Sequence, residues 1–135
     1  MSKIKKILIV LVVIILIFIS AQIINAGKYK MIVNVVDGEN VMGVNPTTEK
    51  LDFGDLSRNN GMTRYITLRN GGSMPVYVAI IKFGKISDLV DINKNYFTLD
   101  PQKEAELAFD IKIPPSAEMK KYSGWVIVFR LPKIW

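Results

Sequence analysis

The chain has 135 residues, half of them apolar, with 18 Lys and Arg against 12 Asp and Glu and with neither Cys nor His. That length suits one compact domain. Without Cys and His the chain has no disulfide, no Cys/His zinc site, no Ser/His or Cys/His catalytic pair and no histidine pH switch. These exclusions remove most familiar enzyme chemistries and leave a membrane-targeted interaction domain as the main class to consider.

The apolar residues are concentrated near the N-terminus, in a run from Ile7 to Gly27 that contains no charged side chain. As a helix this run rises about 30 Å, which matches the hydrocarbon core of a bilayer. Three lysines precede the run and Lys28 and Lys30 follow it, so the positive-inside rule favours a cytoplasmic N-terminus. We therefore predict a protein of the cell membrane with three parts: a cytoplasmic segment at residues 1–6, one membrane-spanning helix in contact with lipid at 7–27, and an extracytoplasmic domain at 28–135.

A cleavable secretory signal has the same features, namely a basic start, an apolar run and small residues such as Ala21 and Ala26. Ile24-Asn25-Ala26 is a poor version of the small-x-small cleavage site, and the apolar run is long for a signal. These points favour an uncleaved anchor. The alternative is a secreted or fibre-forming subunit that is released by cleavage near Ala26.

Residues 28–135 have a mixed charge pattern. They contain 15 of the 18 basic side chains and all 12 acidic ones. The two signs alternate, as between Lys82 and Lys94, and no block of like charge forms a stripe that follows a phosphate backbone. The pattern indicates a solvated surface, and we expect no nucleic-acid partner.

The same residues predict short strands separated by turns. Glu106–Ile113 shows the clearest alternation, with Leu107 and Phe109 on one face and Ala108 and Asp110 on the other. Ile86–Ile92 fits either a strand or one helical turn. Apolar or alternating segments predict the other strands, at Met31–Val36, Val41–Val44, Lys50–Phe53, Met62–Asn70, Pro75–Lys82, Tyr96–Leu99 and Trp125–Leu131. Their spacing, with no long amphipathic helix, predicts an all-β, immunoglobulin-like β-sandwich of about seven strands after the N-terminal helix.

A resemblance to known domains lies in a series of short motifs: Leu51-Asp-Phe-Gly54, Ile66-Thr-Leu-Arg-Asn70-Gly, Pro75-Val, Phe97-Thr-Leu-Asp-Pro101, Ile113-Pro and Tyr122-Ser-Gly124. In this order they resemble the prokaryotic immunoglobulin-like domains related to the PapD-like and ASPM/Hydin-type sandwiches. One N-terminal helix before such a sandwich is also similar to archaellum stator proteins and to TasA-type fibre subunits. The resemblance implies an adhesion, scaffold or assembly module on the outer side of the membrane.

Each of these motifs marks a turn or the edge of a strand, so Gly54, Pro75, Tyr122 and Gly124 are expected to have structural roles. Tyr122, two residues before Gly124, resembles the tyrosine of a tyrosine corner, whose hydroxyl bonds to upstream backbone. In that assignment Trp125–Leu131 is the penultimate strand of the sandwich, and one of its edges lacks a partner.

An unpaired edge at Trp125–Leu131 would be available for strand addition by a partner protein or by another copy of the chain. The residues expected to line that edge are Trp125, Ile127, Phe129 and Leu131. The alternative is that Tyr29–Val36 or Val41–Val44 fills the same place within the chain, or that Trp125–Leu131 is itself the last strand of the sandwich. We favour the alternative, because open apolar edges are rare in stable proteins.

The remaining candidate sites are weak. Four carboxylates with the wrong spacing for a calcium loop are more simply surface acids (Asp52, Asp55, Asp88 and Asp91). Glu104 and Glu106 share one face of a strand without a placed partner for acid/base work, so an enzyme that uses carboxylates or Lys is a remote alternative. Tyr65 and Tyr77 indicate a binding surface or ordinary sheet packing. We predict no catalytic residue, metal or cofactor.

Overall fold

The computed structural model describes residues 2–39, 41 and 49–134. This part of the chain contains one α-helix, a short 3-10 helix at Ser87–Leu89 and eight strands. The helix is α1 (Lys3–Asn25), and the strands are β1 (Gly27–Val36), β2 (Leu51–Ser57), β3 (Gly61–Arg69), β4 (Val76–Gly84), β5 (Val90–Ile92), β6 (Phe97–Leu99), β7 (Glu104–Lys112) and β8 (Lys121–Pro132). The protein is therefore mostly β, with one apolar helix at its N-terminus.

Helix α1 begins earlier and ends earlier than the segment 7–27 predicted from the sequence. The Ser2 hydroxyl caps its first turn by accepting a hydrogen bond from the Lys5 amide at 3.3 Å. Its end is fixed by Gly27, which is already the first residue of β1. In the described part of the chain α1 is the one helix that is long and apolar enough to cross a membrane.

The strands form two sheets. One has five strands in the order β2-β1-β8-β4-β6, and the other has three in the order β3-β7-β5. The β1–β2 pair is parallel and the remaining pairs are antiparallel. Both sheets contribute side chains to a single hydrophobic core, whose largest fully buried members include Met31, Phe53, Leu68, Ile86, Leu107 and Phe109.

Most of the predicted strands are present, with shifted ends. Ile86–Ile92, for which strand and helical turn were both open, contains both, since the 3-10 helix leads directly into β5. Apart from Val41, which belongs to no strand, the predicted strand Val41–Val44 lies outside the described residues. Eight described strands therefore stand against about seven expected.

The open edge considered along Trp125–Leu131, which was not the favoured interpretation, is closed over most of its length. Strand β8 lies in the middle of the five-stranded sheet, paired with β1 from Lys121 to Val128 and with β4 from Gly124 to Pro132. The place expected to be empty is filled by Gly27–Val36 of the same chain, close to the Tyr29–Val36 segment that the favoured alternative named. Strand β8 is also the last described strand, not the penultimate one.

The four residues expected to be structural lie at turns and close contacts. Gly54 has a φ of +71° beside an irregular register between β1 and β2, and the Pro75 carbonyl accepts a hydrogen bond from the Lys133 amide at 3.0 Å. Gly124 lies opposite Gly84 between β8 and β4. The Tyr122 hydroxyl bonds to upstream backbone, as expected: it accepts from the Glu118 amide and donates to the Glu118 carbonyl, each at 3.1 Å.

Candidate functional site

The outer face of the five-stranded sheet carries a line of apolar side chains. Successive residues of a strand point to opposite faces, and Val78 and Ile80 of β4 and Val126 and Val128 of β8 are buried in the core. The residues between them therefore face outward. They lie opposite one another in four cross-strand pairs, which we call the apolar ladder: Tyr77–Leu131, Ala79–Phe129, Ile81–Ile127 and Phe83–Trp125.

The apolar ladder is substantially accessible to solvent. Ile81, Phe83 and Trp125 are 48%, 46% and 42% exposed, and its other members are half-buried. Four pairs at every second residue extend about 20 Å along the strands. A contiguous apolar surface of this kind typically marks a contact with another macromolecule.

Basic side chains border the apolar ladder. On the β1 side Lys30 lies opposite Trp125 in the register of the sheet. Lys28, opposite Ile127, points its ammonium group at the end of α1, where it donates to the carbonyls of Ile23, Ile24 and Ala26. On the β6 side the Lys133 ammonium group donates to the Thr98 hydroxyl at 3.0 Å, next to Tyr77. The border of the ladder is therefore positive on both sides.

The structure brings together the four residues predicted as an interaction edge, but on a face. Trp125, Ile127, Phe129 and Leu131 form one side of the apolar ladder, and β4 supplies the other. Sequence reasoning missed Ile81 and Phe83 as members of this set. The sequence does contain a signal for Ile81. Residues 75–81 are apolar at both odd and even positions, and this pattern predicts a strand with two apolar faces.

The candidate carboxylates are dispersed and do not form a site. Asp52 is buried and accepts the Gly54 amide at 2.8 Å, and Asp55 accepts the Asn34 side-chain amide at 3.0 Å. Glu104 forms an ion pair with Arg69 at 3.3 Å. Among the described residues no group of three or more His, Cys, Asp or Glu side chains is arranged to hold a metal ion.

An open depression of about 500 Å³ lies along β3 in the other sheet. Its lining is basic or neutral and consists of Lys50 and residues 63–67. The Arg64 guanidinium there donates to the Asp52 carbonyl through two nitrogens, at 2.8 and 3.1 Å, so its charge is turned to the backbone of β2. Among the described residues, no carboxylate lines this depression.

Comparisons of the chain with protein-family models, with curated proteins and with solved structures find no match. Function is therefore inferred from the chain's own residues. The apolar ladder is the surface feature with the clearest chemistry, and α1 is the described helix that is long and apolar enough to cross a membrane.

Proposed function

We propose that the protein is a single-pass membrane protein whose domain, residues 28–135, lies outside the cytoplasm and binds another protein through the apolar ladder. The observation that carries this proposal is the set of four apolar cross-strand pairs on the outer face of β4 and β8. Sheets of soluble proteins place polar residues on a solvated face. Eight apolar residues there favour a surface that is covered in the working protein.

The anchor is supported by the composition and the ends of α1. Its 23 residues rise about 34 Å, enough to cross the hydrocarbon core. The positive charge of Lys28 beside the last carbonyls complements the negative end of the helix dipole and satisfies acceptors that have no partner within the helix. Three lysines at the other end favour the orientation with the domain outside.

The domain is proposed to be an immunoglobulin-like β-sandwich. Two mostly antiparallel sheets that share one hydrophobic core support this class. Domains of this class commonly act by presenting a face or an edge to a partner.

The charge around the apolar ladder specifies the chemistry of the partner. Lys30 and Lys133 border it, and the carboxylate of Asp55, two strands away on β2, is engaged by Asn34. The complementary surface is a protein with an apolar centre and carboxylates at its rim. The ladder is narrow, so the contact buries less area than a standard interface and gains from confinement of both proteins to one membrane.

The test uses single cysteines, because the chain has none of its own. Ile81→Cys places a thiol in the apolar ladder, and Tyr65→Cys, at a residue 58% exposed on the other sheet, is the matched control. A membrane-impermeant maleimide is applied to intact cells, and to the purified full chain in dilute lipid vesicles. We expect both positions to react at similar rates in vesicles, and Ile81→Cys to react several-fold more slowly than Tyr65→Cys on cells.

Two results would contradict the proposal. Equal labelling of the two positions on cells would show that the apolar ladder has no partner there. Labelling of Tyr65→Cys only after the cells are lysed would place the domain on the cytoplasmic side.

A second candidate is a secreted or fibre-forming subunit. It is favoured by one observation: β1 starts at Gly27, so cleavage after Ala26 would leave all eight described strands intact. The mass of the mature protein separates the two candidates, since only the secreted form lacks α1.

A further inference from the structure

At the end of the five-stranded sheet that is nearest to α1, strands β4 and β8 continue past the first residue of β1. Strand β1 starts opposite Val128, but β8 continues for four more residues, Phe129–Pro132, along β4. At the usual rise of a strand those residues cover about 13 Å. Since only Ala26 separates α1 from β1, this end of the sheet lies beside the last turns of the helix and not beyond them.

Contacts of α1 support this placement. The helix contacts β8, and Ala21 and Gln22 are its two half-buried residues, whereas its other residues are exposed. Ala21 lies about 6 Å before the end of the helix. The end of the sheet therefore reaches the depth of residues that belong to the apolar run.

Two loops, between β3 and β4 and between β6 and β7, lie at this end of the sheet. Hydrogen bonds of the buried Asn70 hold them in place. The side-chain amide of Asn70 donates to the carbonyls of Met74 and Leu99, at 2.8 and 3.0 Å, and its oxygen accepts the Gly72 amide at 3.0 Å. The Asn70 carbonyl accepts the Gln102 amide at 2.7 Å. Residues 70–75, 100–103 and 132–134, which we call the proximal end, thus form one ordered surface.

Apolar side chains project from the proximal end next to basic ones. Met74 is 50% exposed and Ile134 is 82% exposed. Lys103 and Lys133 lie in the same surface. Exposed apolar tips flanked by lysines are typical of protein segments that rest in the headgroup region of a bilayer.

We infer that the proximal end docks into the surface of the bilayer that α1 crosses. Met74 and Ile134 enter the boundary between headgroups and acyl chains, and Lys103 meets lipid phosphates. This inference rests on the proposed anchor. It fixes the orientation of the domain, so that the apolar ladder faces sideways along the membrane and its partner is a protein held at the same membrane.

The experiment measures the depth of nitroxide labels on the full chain in vesicles of phosphatidylcholine and phosphatidylglycerol. Single cysteines are introduced as Met74→Cys, Ile134→Cys, Met119→Cys and Leu16→Cys. Met119 is the matched control, because it is a methionine of equal exposure, 51%, in the turn before β8 at the opposite end of the domain. Leu16, within α1, reports whether the helix is inserted.

Accessibility to oxygen and to a water-soluble nickel chelate is read from the saturation of the spin-label signal. We expect Leu16 to report the hydrocarbon core, Met74 and Ile134 to favour oxygen over nickel several-fold, and Met119 to favour nickel. If either Met74 or Ile134 gives the ratio found at Met119 while Leu16 stays buried in lipid, the docking is wrong and the anchor stands. If Leu16 is accessible to nickel, the anchor itself is wrong, and the docking falls with it.

Discussion

The pair Gly84–Gly124 shows how single residues set the geometry of the apolar ladder. These glycines lie opposite each other one position beyond the Phe83–Trp125 pair, and Gly84 has a φ of +102°. A methyl group at Gly124 would clash with the carbonyl oxygen of Phe83 and crowd the side chain of Ile86. Only glycine lets the two strands approach here.

Replacement of Gly124 by alanine is predicted to destabilise the domain by about 1–3 kcal/mol, because the clash is with backbone and the strands must separate. Gly71→Ala is the control, since a Cβ there has no atom within 4 Å, and its effect should stay within about 0.5 kcal/mol. Denaturant unfolding of the two variants measures the difference. An equal loss of stability in both variants would contradict the role of Gly124 in the close approach of β4 and β8.

Tyr122 offers a second test at this scale. Its hydroxyl makes two hydrogen bonds with the backbone of Glu118, which close the turn before β8. Tyr122→Phe should therefore cost about 1–2 kcal/mol of unfolding free energy. Tyr65→Phe removes the hydroxyl of an exposed tyrosine and should cost close to nothing. The turn does not depend on the hydroxyl if the two variants unfold at the same denaturant concentration.

Among the helices and strands, β1 is expected to matter most for the stability of the fold, because it connects α1 to the interior of the five-stranded sheet. It pairs with β2 on one side and with β8 on the other. It also places Met31, Val33 and Val35 in the core. The domain therefore needs this strand far more than it needs α1, which contacts it mainly at β8.

Two truncated chains test that difference. A chain that begins at Gly27 should fold, since it keeps every described strand, whereas one that begins at Asp37 should not, since it lacks β1. Dispersion of amide proton resonances reports the fold of each. A folded chain from Asp37, or an unfolded chain from Gly27, would contradict the role assigned to β1.

Sequence reasoning found the strands better than it found their partners. Period-two alternation is a local signal, and it identified β3, β4 and β7 within a few residues of their observed ends. Pairing is not local, because β1 and β8 lie at opposite ends of the chain. The start of β1 was missed, since Lys28 and Lys30 on its solvent face interrupt the apolar pattern. The neighbour of β8 could therefore not be assigned, and an open edge stayed as a possibility beside the favoured interpretation of a strand from the same chain.

The candidate site could be predicted in part. Trp125, Ile127, Phe129 and Leu131 were singled out from the sequence as the residues of a strand edge that could lack a partner within the chain. Their partners on β4 could not be assigned, since the register that sets Ile81 opposite Ile127 depends on the fold. Met74 carried no signal, because exposure in loops cannot be read from a pattern.

For the whole molecule, the proposed function combines the apolar ladder, its basic border and α1 as the proposed anchor. The border should steer an acidic partner, so Lys30→Glu in the Ile81→Cys background is expected to increase maleimide labelling on cells several-fold. Lys112→Glu, on the other sheet, has the same change of charge and should leave labelling unchanged. Equal labelling in the two variants would remove the acidic rim from the description of the partner.

The central claim is that one chain keeps its helix in the membrane and its domain outside. The most direct test is the intact mass of the protein from membranes of cells treated externally with protease and from untreated cells. We expect to find the full chain in untreated membranes. After treatment we expect a membrane-bound fragment that retains α1 and has lost parts of residues 28–135. A mature protein that lacks residues 1–26 and is free of the membrane would contradict the account and favour the secreted subunit.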